Sequence, residues 1–321
     1  MSEKKFYAGI DIGGTNIKFG IFDNKGGVLY KEHKPTMSEK GPQALLHLIA
    51  NIGERLLYHA AEEEFDIGYI GVGSPGAVNS ETGVVVGPCP NIEGWTGTGI
   101  GEFLNERLNV PIFVDNDVNS MALAEYKFGA AQGRKNVVCL TVGTGIGGAF
   151  LYNGKIMHGS NFTGGELGHM TINFEGPQCA CGNYGCLEAY CSSKNILLSV
   201  KKKLNGTLTP IFKDVLSDDI ENLTIKKLFT AHKKGDEIAL EVISDTAKYL
   251  GIGLAGIVNL LNPEIVVVGG GITDGGGNFV ELVSKELRKR AFSSATEKLQ
   301  VVKASLGNDA GFIGAGLLGD K

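Results

Sequence analysis

The chain has 321 residues, of which 43% are hydrophobic and 20% are charged, and its net charge is −5. This composition excludes global disorder, and the acidic balance argues against a general electrostatic role on nucleic acid or on an anionic membrane. Glycine is over-represented, with 48 residues, but no repeating G-X-Y triplet is present, which excludes collagen.

Length and hydropathy indicate the broad class of protein. A domain usually takes roughly 100–200 residues, so we expect two domains. No stretch reaches the roughly 18–20 apolar residues of a membrane helix, and the N-terminal apolar run is too short for a signal peptide. We therefore expect a soluble, cytoplasmic protein with no membrane partner and no nucleic-acid partner.

Strands dominate the beginning of the chain. Short apolar runs between glycine-rich turns predict strands, and an apolar stripe at helical spacing predicts a helix. Strands followed by alternating strands and helices indicate an α/β fold with a mixed sheet. In chain order, the predicted elements are strands at 6–12, 17–23 and 28–32, a helix after Pro42, strands at 67–73 and 112–115, and a helix at 119–128.

The opening pattern then recurs in the second half. Strands are predicted at 137–142 and 146–151, on either side of the turn Gly143-Thr144-Gly145, as they are around the turn after residue 12. An internal duplication of this kind is a signal of fold, and it predicts two related β-hairpin units. Two such hairpins could hold one polyphosphate from two sides, and two ordinary tight hairpins are the alternative.

The remainder of the second half is mostly helical in pattern. Ligands of α/β sheets bind at the carboxyl ends of strands, and a glycine triplet there leaves room for a flat adenine. A glycine turn without a ligand is the alternative. The predicted elements are surface helices within 195–235 with a loop at 205–210, a long helix at 237–261, a buried strand at 264–268 that ends in Gly269-Gly270-Gly271, and a last helix at 311–318.

The turn after the first strand is a candidate phosphate site. Asp11 lies at the strand end, and Gly13, Gly14 and Thr15 follow it. Glycines let backbone N–H groups approach phosphate oxygens, Thr15 can donate a hydrogen bond, and Asp11 can hold Mg²⁺ through water. A type I′ hairpin turn with a capping aspartate is the alternative. The pattern is neither a Walker A loop nor a dinucleotide fingerprint.

An acidic residue after the strand at 112–115 is the candidate catalytic base. Asn116 and Asp117 follow that strand and precede a predicted helix. A carboxylate at such a position can take the proton from an attacking hydroxyl, as the acidic residue of kinase active sites does. The alternative for Asp117 is a helix N-cap, which aspartate also favours.

One histidine and three cysteines form the candidate metal site. His169 is followed by Cys179, Cys181 and Cys186, and this set matches tetrahedral structural Zn²⁺ with no open position for a catalytic water. The segment 176–185 has too few apolar residues to fold by core burial alone, which favours a metal. Four buried residues without a metal are the alternative.

Two carboxylates flank this set in the sequence. Glu166 precedes His169, and Glu188 follows Cys186. Carboxylates and amides such as these and Asn116 fix sugar hydroxyls by paired hydrogen bonds. A histidine on zinc keeps a second ring nitrogen, so His169 could touch the metal and a ligand at once. The alternatives are a helix-start charge for Glu188 and a solvated loop charge for Glu166.

These segments resemble the ROK family of sugar kinases and repressors. The combination of E-x-G-H with C-x-C-G-x-x-G-C-x-E is highly specific, and the resemblance extends over nearly the whole chain. The segments that carry it are Asp11–Thr15, Asn116–Asn119, Thr141–Gly148, Gly165–His169, Cys179–Glu188, Val268–Ile272 and Asn308–Gly311.

The resemblance implies the actin-like ATPase (ribonuclease H-like) fold, with two α/β domains and duplicated β-hairpin units around a central cleft. We expect a small N-terminal domain made of 1–118 and 308–321. We expect a large domain at 119–307, which contains the zinc loop at 169–186.

The resemblance also implies roles for individual residues, with Asp117 as the base that deprotonates the sugar hydroxyl. The implied sugar-binding residues are Asn91, Asn116, Asp117, Glu166, His169 and Glu188. The residues assigned to the nucleotide and its phosphates are Asp11, Gly13, Gly14, Thr15, Lys18, Thr144, Gly145, Gly269, Gly270 and Gly271. The implied zinc ligands are His169, Cys179, Cys181 and Cys186.

These expectations define one function and its alternatives. We expect an ATP-dependent hexose kinase that uses ATP, Mg²⁺ and a structural Zn²⁺, phosphorylates the 6-hydroxyl of glucose, and forms a homodimer. Kinases of N-acetylmannosamine, N-acetylglucosamine, fructose or mannose are alternatives, and a sugar-responsive regulator is the non-enzymatic alternative. Family repressors carry an N-terminal helix-turn-helix, and with only five residues before the first predicted strand we expect no such segment here.

Overall fold

The structure is a computed structural model that describes residues 5–276 and 278–320. The described strands, in chain order, are β1 (Phe6–Ile12), β2 (Asn16–Asp23), β3 (Val28–Pro35), β4 (Ile67–Ser74), β5 (Val78–Asn79), β6 (Val84–Val85), β7 (Ile112–Asn116), β8 (Val137–Val142), β9 (Ile146–Tyr152), β10 (Lys155–Ile156), β11 (Ile265–Gly269) and β12 (Gln300–Lys303).

The described α-helices, in chain order, are α1 (Gly41–Glu62), α2 (Ile100–Leu108), α3 (Asp117–Lys127), α4 (Leu187–Cys191), α5 (Ser193–Leu204), α6 (Pro210–Leu216), α7 (Ile225–Lys233), α8 (Glu237–Leu261), α9 (Phe279–Arg288), α10 (Ser293–Thr296) and α11 (Ala310–Gly316). None of the helices in the described part of the chain is both long and apolar enough to cross a membrane.

The chain packs into two compact units. The first consists of the described residues of Met1–Gly133, Phe150–Gly165 and Ser305–Lys321, and the second consists of those of Arg134–Ala149 and Glu166–Ala304. Helix α3 belongs to the first unit, where it packs against α11. The predicted domain limits, which begin the large domain at residue 119, stay a prediction.

The first unit is built on a five-stranded mixed sheet in the order β3-β2-β1-β4-β7. Strand β2 is antiparallel to β1 and β3, whereas β4 is parallel to β1 and β7. Because side chains alternate along a strand, β1 serves two cores. Ile10 packs in the larger core together with the apolar stripe of α1, and Tyr7 packs in the other core with Phe312 of α11.

Two glycines explain how α11 reaches the first sheet. A Cβ atom at Gly9 would lie 1.8 Å from the carbonyl oxygen of Phe312, and one at Gly71 would lie 1.7 Å from that of Ala315. No side chain fits in this space, so the helix backbone packs directly on β1 and β4. Part of the glycine excess of the sequence therefore serves helix-on-sheet packing.

The second five-stranded sheet has the order β10-β9-β8-β11-β12. Strand β10 is antiparallel to β9, and β11 is parallel to both β8 and β12. In each sheet the strands follow the order third, second, first, fourth, fifth along the chain. The predicted duplication of a β-hairpin unit is thereby confirmed, and it extends to the two parallel strands that follow each hairpin.

Several elements differ from the sequence prediction. Helix α3 begins at Asp117, two residues earlier than predicted, and the segment 195–235 contains most of α5 together with α6 and α7. Helices α2 and α9 and strand β12 were not predicted. Strand β12 has only four residues at a sheet edge, which is too short for a period-two pattern to be read.

Candidate functional site

The turn between β1 and β2 is braced from the end of β3. The Gly13 N–H donates to the Asn16 carbonyl at 3.1 Å, and the Thr36 hydroxyl donates to the Gly13 carbonyl at 2.6 Å. Gly14 and Thr15 remain exposed. Neither Gly13 nor Gly14 has a positive φ, so this is not a type I′ turn, and that alternative is wrong. The turn offers exposed backbone where phosphate binding is predicted.

Asp11 lies near the end of β1, just before this turn. Its register partner in β2 is Lys18, whose ammonium lies 3.4 Å from the carbonyl and the side-chain oxygen of Asn308. Burial raises the pKa of Asp11 to about 6, and the positive charge of Lys18 acts in the opposite direction. A Cβ atom at Gly311 would lie 2.2 Å from Asp11 Oδ2, so a glycine there gives the carboxylate its space.

The junction between β7 and α3 places the predicted base at a helix start. Asn116 Oδ1 accepts hydrogen bonds from the N–H groups of Val118 and Asn119 at 2.8 and 3.2 Å, which makes Asn116 the N-cap. Asp117 is the first helical residue, is half-buried, and accepts from the Val118 N–H at 2.9 Å. The capping role that was the alternative for Asp117 therefore belongs mainly to Asn116.

Asn91 lies beside the first glycine turn. Its side chain is 3.8 Å from where a Cβ atom of Gly14 would stand, and the residue is exposed. Four residues later, the fully buried Trp95 donates from Nε1 to Ser74 Oγ at 2.9 Å. Ser74 in turn is the register partner of Asn116. Asn91, Gly14 and Asn116 are thus held on one connected part of the first unit.

In the second unit, Glu188 is bonded to the second glycine turn. Its Oε2 accepts the Ile146 N–H at 2.8 Å, and a Cβ atom at Gly145 would lie only 2.6 Å from that oxygen. Thr144 at the tip of the turn is exposed. The turn that is predicted to hold phosphate and the carboxylate that is predicted to hold sugar are therefore direct neighbours.

The four predicted zinc ligands are brought together, with one ligand atom of each lying within 4.8 Å of all the others. Cys181 Sγ and Cys186 Sγ are 3.7 Å apart, and Cys179 Sγ is 3.7 Å from His169 Nδ1. A tetrahedron with Zn–S bonds of about 2.3 Å has edges of about 3.8 Å, so these residues fit the ion. The donor set and its spacing match structural zinc.

The second ring nitrogen of His169 points away from the cysteines. His169 Nε2 lies 3.9 Å from Glu166 Oε2, and about half of the Glu166 side chain is exposed. Partial burial raises the pKa of Glu166, and His169 opposes that shift. The structure thus brings Glu166, His169 and Glu188 to one place in the second unit, since Cys179 Sγ is also 3.8 Å from Glu188 Oε1.

The third glycine turn follows β11. Gly270 has φ +86°, and a Cβ atom there would lie 2.3 Å from the Val142 carbonyl oxygen. Both the positive φ and the close approach require glycine. This packing role stands whether or not adenine binds at Gly269, Gly270 and Gly271, so the adenine assignment stays a prediction.

Two buried carboxylates make contacts that the sequence did not predict. Asp115 directly precedes Asn116 and contacts His158, and Glu125 lies on the same helix as Asp117 and bonds Ser305. Each partner comes from a distant part of the chain, and no spacing motif joins them. The only signal was an acidic residue placed within an otherwise apolar pattern.

Nearly the whole chain matches one protein family. The family model described as "ROK family" matches residues 7–321. The chain belongs to the ROK family. A glucokinase of Halalkalibacterium halodurans is 35% identical over 318 residues, which cover 98% of this chain and 94% of that protein.

The relatives of this chain include a glucokinase of known structure and a regulator. A ROK family glucokinase from Streptomyces griseus, solved in complex with glucose and AMPPNP, has 30% identity and a TM-score of 0.83, with 98% of each chain covered. A xylose repressor of Caldicellulosiruptor bescii is 29% identical over 306 residues, or 95% of this chain and 76% of that protein. The chain has the actin-like ATPase fold of its structural neighbours, as predicted.

Proposed function

We propose that this ROK protein is an ATP-dependent hexose kinase that phosphorylates the 6-hydroxyl of glucose. The observation that carries the proposal is the half-buried carboxylate of Asp117, which stands at the carboxyl end of the parallel strand β7 beside the N-cap Asn116. The similarity to glucokinases, one of them solved with glucose and AMPPNP, supports glucose and ATP as the substrates.

In this proposal Asp117 accepts the proton of the 6-hydroxyl as its oxygen attacks the γ-phosphorus of ATP, and ADP leaves with the bridging oxygen. The proposed sugar-binding residues are Asn91, Asn116, Asp117, Glu166, His169 and Glu188. Carboxylate and amide oxygens accept from sugar hydroxyls, and amide and imidazole N–H groups donate to them.

The two glycine turns hold the phosphates through backbone N–H groups, with the hydroxyls of Thr15 and Thr144 and the charge of Lys18 in support. Mg²⁺ would be held through water by Asp11 and would neutralise phosphate charge. Gly269, Gly270 and Gly271 line the adenine. A structural Zn²⁺ on His169, Cys179, Cys181 and Cys186 would order the loop between Glu166 and Glu188.

A sugar-responsive regulator is the second candidate function. It is supported by the 29% identity to a xylose repressor over 95% of this chain. Kinases of N-acetylmannosamine, N-acetylglucosamine, fructose or mannose are the remaining candidates. A homodimer and a cytoplasmic location remain predictions.

The deciding experiment is an ADP-release assay with Mg-ATP and glucose, mannose, fructose, N-acetylglucosamine and N-acetylmannosamine. We expect glucose to have the highest kcat/KM, by tenfold or more, and the variant Asp117→Asn to lose turnover while it still binds glucose in calorimetry. Preference for another sugar replaces glucose in the proposal. If no sugar is phosphorylated by folded, zinc-loaded protein, the kinase proposal fails in favour of a regulator.

A further inference from the structure

A histidine from a distant part of the chain contacts the strand end that carries the proposed base. His158 follows β10, and its Nε2 lies 2.7 Å from Asp115 Oδ2. The side chain of Asp115 is only 3% exposed and that of His158 is 26% exposed. The contact is therefore largely shielded from solvent, unlike the ion pairs that lysines and arginines form with carboxylates on the described surface.

The other oxygen of Asp115 is occupied at the same junction. Asp115 Oδ1 accepts the backbone N–H of Asn116 at 2.7 Å and the side-chain Nδ2 of Asn119 at 2.9 Å. One carboxylate therefore joins His158 to the last residue of β7 and to the first turn of α3. Asp117 lies between the two bonded positions, so its backbone is fixed from both sides.

His158 itself is well held. Its carbonyl oxygen accepts the Gly164 N–H at 2.8 Å, and the preceding Met157 N–H donates to the Phe150 carbonyl at 2.9 Å. The segment between residues 158 and 164 is thus a loop closed at its base, and the imidazole extends from that base. A rigid donor on a closed loop can fix its acceptor more firmly than a long surface side chain can.

We propose that His158 is a positioning residue for the reaction: by donating to Asp115, it fixes the junction of β7 and α3 and so holds Asn116 and Asp117 in the orientation that proton removal requires. This inference deepens the proposed function and rests on it. A misplacement of about 1 Å in a reacting group can cost roughly 100-fold in rate, so a fixed junction is functionally valuable.

The electrostatics agree with this geometry. The hydrogen bond to Asp115 raises the pKa of His158, burial opposes the shift, and Glu81 adds a smaller attraction. A protonated His158 would also compensate the negative charge of Asp115, which stands close in sequence to Asp117. Hydrogen bonds to an ionised partner are the stronger kind, so the contact resists thermal opening.

The test compares two substitutions that differ in one donor. His158→Ala removes the donor, and His158→Gln keeps an N–H group at nearly the position of Nε2. We expect the alanine variant to lower kcat for glucose phosphorylation by roughly 10- to 100-fold, with the KM of Mg-ATP changed less than about twofold, and the glutamine variant to recover most of the rate. An alanine variant within twofold of wild type, or a glutamine variant no better than alanine, overturns the proposal.

A second measurement needs neither substrate nor turnover. Amide hydrogen exchange at residues 116–119 should accelerate at least tenfold in His158→Ala and stay near the wild-type rate in His158→Gln. Unchanged exchange in the alanine variant overturns the positioning role even if no sugar is phosphorylated, whereas inactive wild type overturns only the proposed function. If His158→Ala does not fold, His158→Leu, which fills the space without a donor, replaces it in both measurements.

Discussion

Glu125 of helix α3 binds the backbone of Ser305, at the start of the last segment of the first unit. Glu125 Oε1 accepts the N–H groups of Ser305 and Leu306, both at 2.9 Å. Its Oε2 accepts the Ala130 N–H at 2.7 Å and the Ser305 hydroxyl at 3.1 Å. The Glu125 side chain is fully buried. Its carboxylate therefore holds together the backbone just after the end of α3 and the backbone at Ser305, where the chain re-enters the first unit.

We expect Glu125→Ala to be strongly destabilising. The substitution removes a fully buried carboxylate that is the acceptor of the N–H groups of Ala130, Ser305 and Leu306, and each group left unpaired costs about 1–3 kcal/mol. The free energy of unfolding in urea should therefore fall by about 3 kcal/mol or more. Glu106→Ala, at an exposed position of α2 in the same unit, is the matched control and should change it by less than about 0.5 kcal/mol. Equal effects of the two substitutions would contradict the role of Glu125.

The cluster of His169, Cys179, Cys181 and Cys186 predicts one zinc ion per chain. Elemental analysis of the purified protein should give one equivalent of zinc, and Cys181→Ser should reduce it well below one. Cys181 is exposed, so its substitution disturbs little packing besides the metal. Because Glu166 and Glu188 lie on either side of this loop, loss of the ion should also weaken glucose binding by tenfold or more in calorimetry.

Cys89→Ala is the matched control for this prediction. Cys89 is a buried thiol of the first unit that lies outside the ligand set. The variant should keep a full equivalent of zinc and the wild-type glucose affinity. The zinc assignment fails if wild type contains no zinc when it is purified without chelator, or if Cys181→Ser retains a full equivalent.

Much of the fold could be predicted because it depends on local patterns. The hairpin of β1 and β2 has alternating apolar residues around a glycine turn, and the same pattern recurs at β8 and β9, so the duplication was visible. Helices α2 and α9 were not predicted, although the sequence contains apolar residues at helical spacing in both. These are Ile100, Leu104 and Leu108 of α2, and Phe279, Val283 and Leu287 of α9. Strand β12 could not be found, since an edge strand of four residues is defined by its partner β11.

In the candidate site too, some residues could be predicted from the sequence and others could not. Residues that lie close together in the chain, such as Cys179, Cys181 and Cys186, can be recognised as a site from their spacing. Asp115 and Glu125 do not, because their partners His158 and Ser305 come from distant segments and become neighbours only through the fold. A sequence motif therefore shows the groups that contact a ligand more readily than the groups that hold them in place.

The raised pKa of Asp11 predicts that the stability of the fold depends on pH in the absence of Mg²⁺ and nucleotide. Burial raises the pKa of Asp11 in the folded chain to about 6, above its ordinary value of 3.8. The protonated form thus stabilises the fold below about pH 4, and this contribution is lost as the pH rises through 6. Asp11→Asn should therefore unfold at higher urea concentration than wild type above pH 6, with the difference shrinking toward pH 4.

The exposed Asp66 of the first unit provides the control for this pH dependence, and Asp66→Asn should show no such trend. A difference between Asp11→Asn and wild type that stays constant from pH 4 to pH 8 would contradict the shift. Saturating Mg-ATP should remove the difference in stability between wild type and Asp11→Asn above pH 6, because a bound cation compensates the charge of Asp11.

Gly145 and Gly143 offer a matched pair in the second glycine turn. A Cβ atom at Gly145 would come within 2.6 Å of Glu188 Oε2, whereas one at Gly143 would meet no atom within 4 Å. The carboxylate is the far end of a flexible side chain, so in Gly145→Ala it should swing away from the Ile146 N–H at little cost in stability. Glucose affinity, measured by calorimetry without nucleotide, should then fall roughly tenfold or more, since hydrogen bonds to a charged group contribute about 1.5–3 kcal/mol. Gly143→Ala should keep glucose affinity within about twofold, and an equal loss in both variants would show that Glu188 is not the group through which the turn affects the sugar.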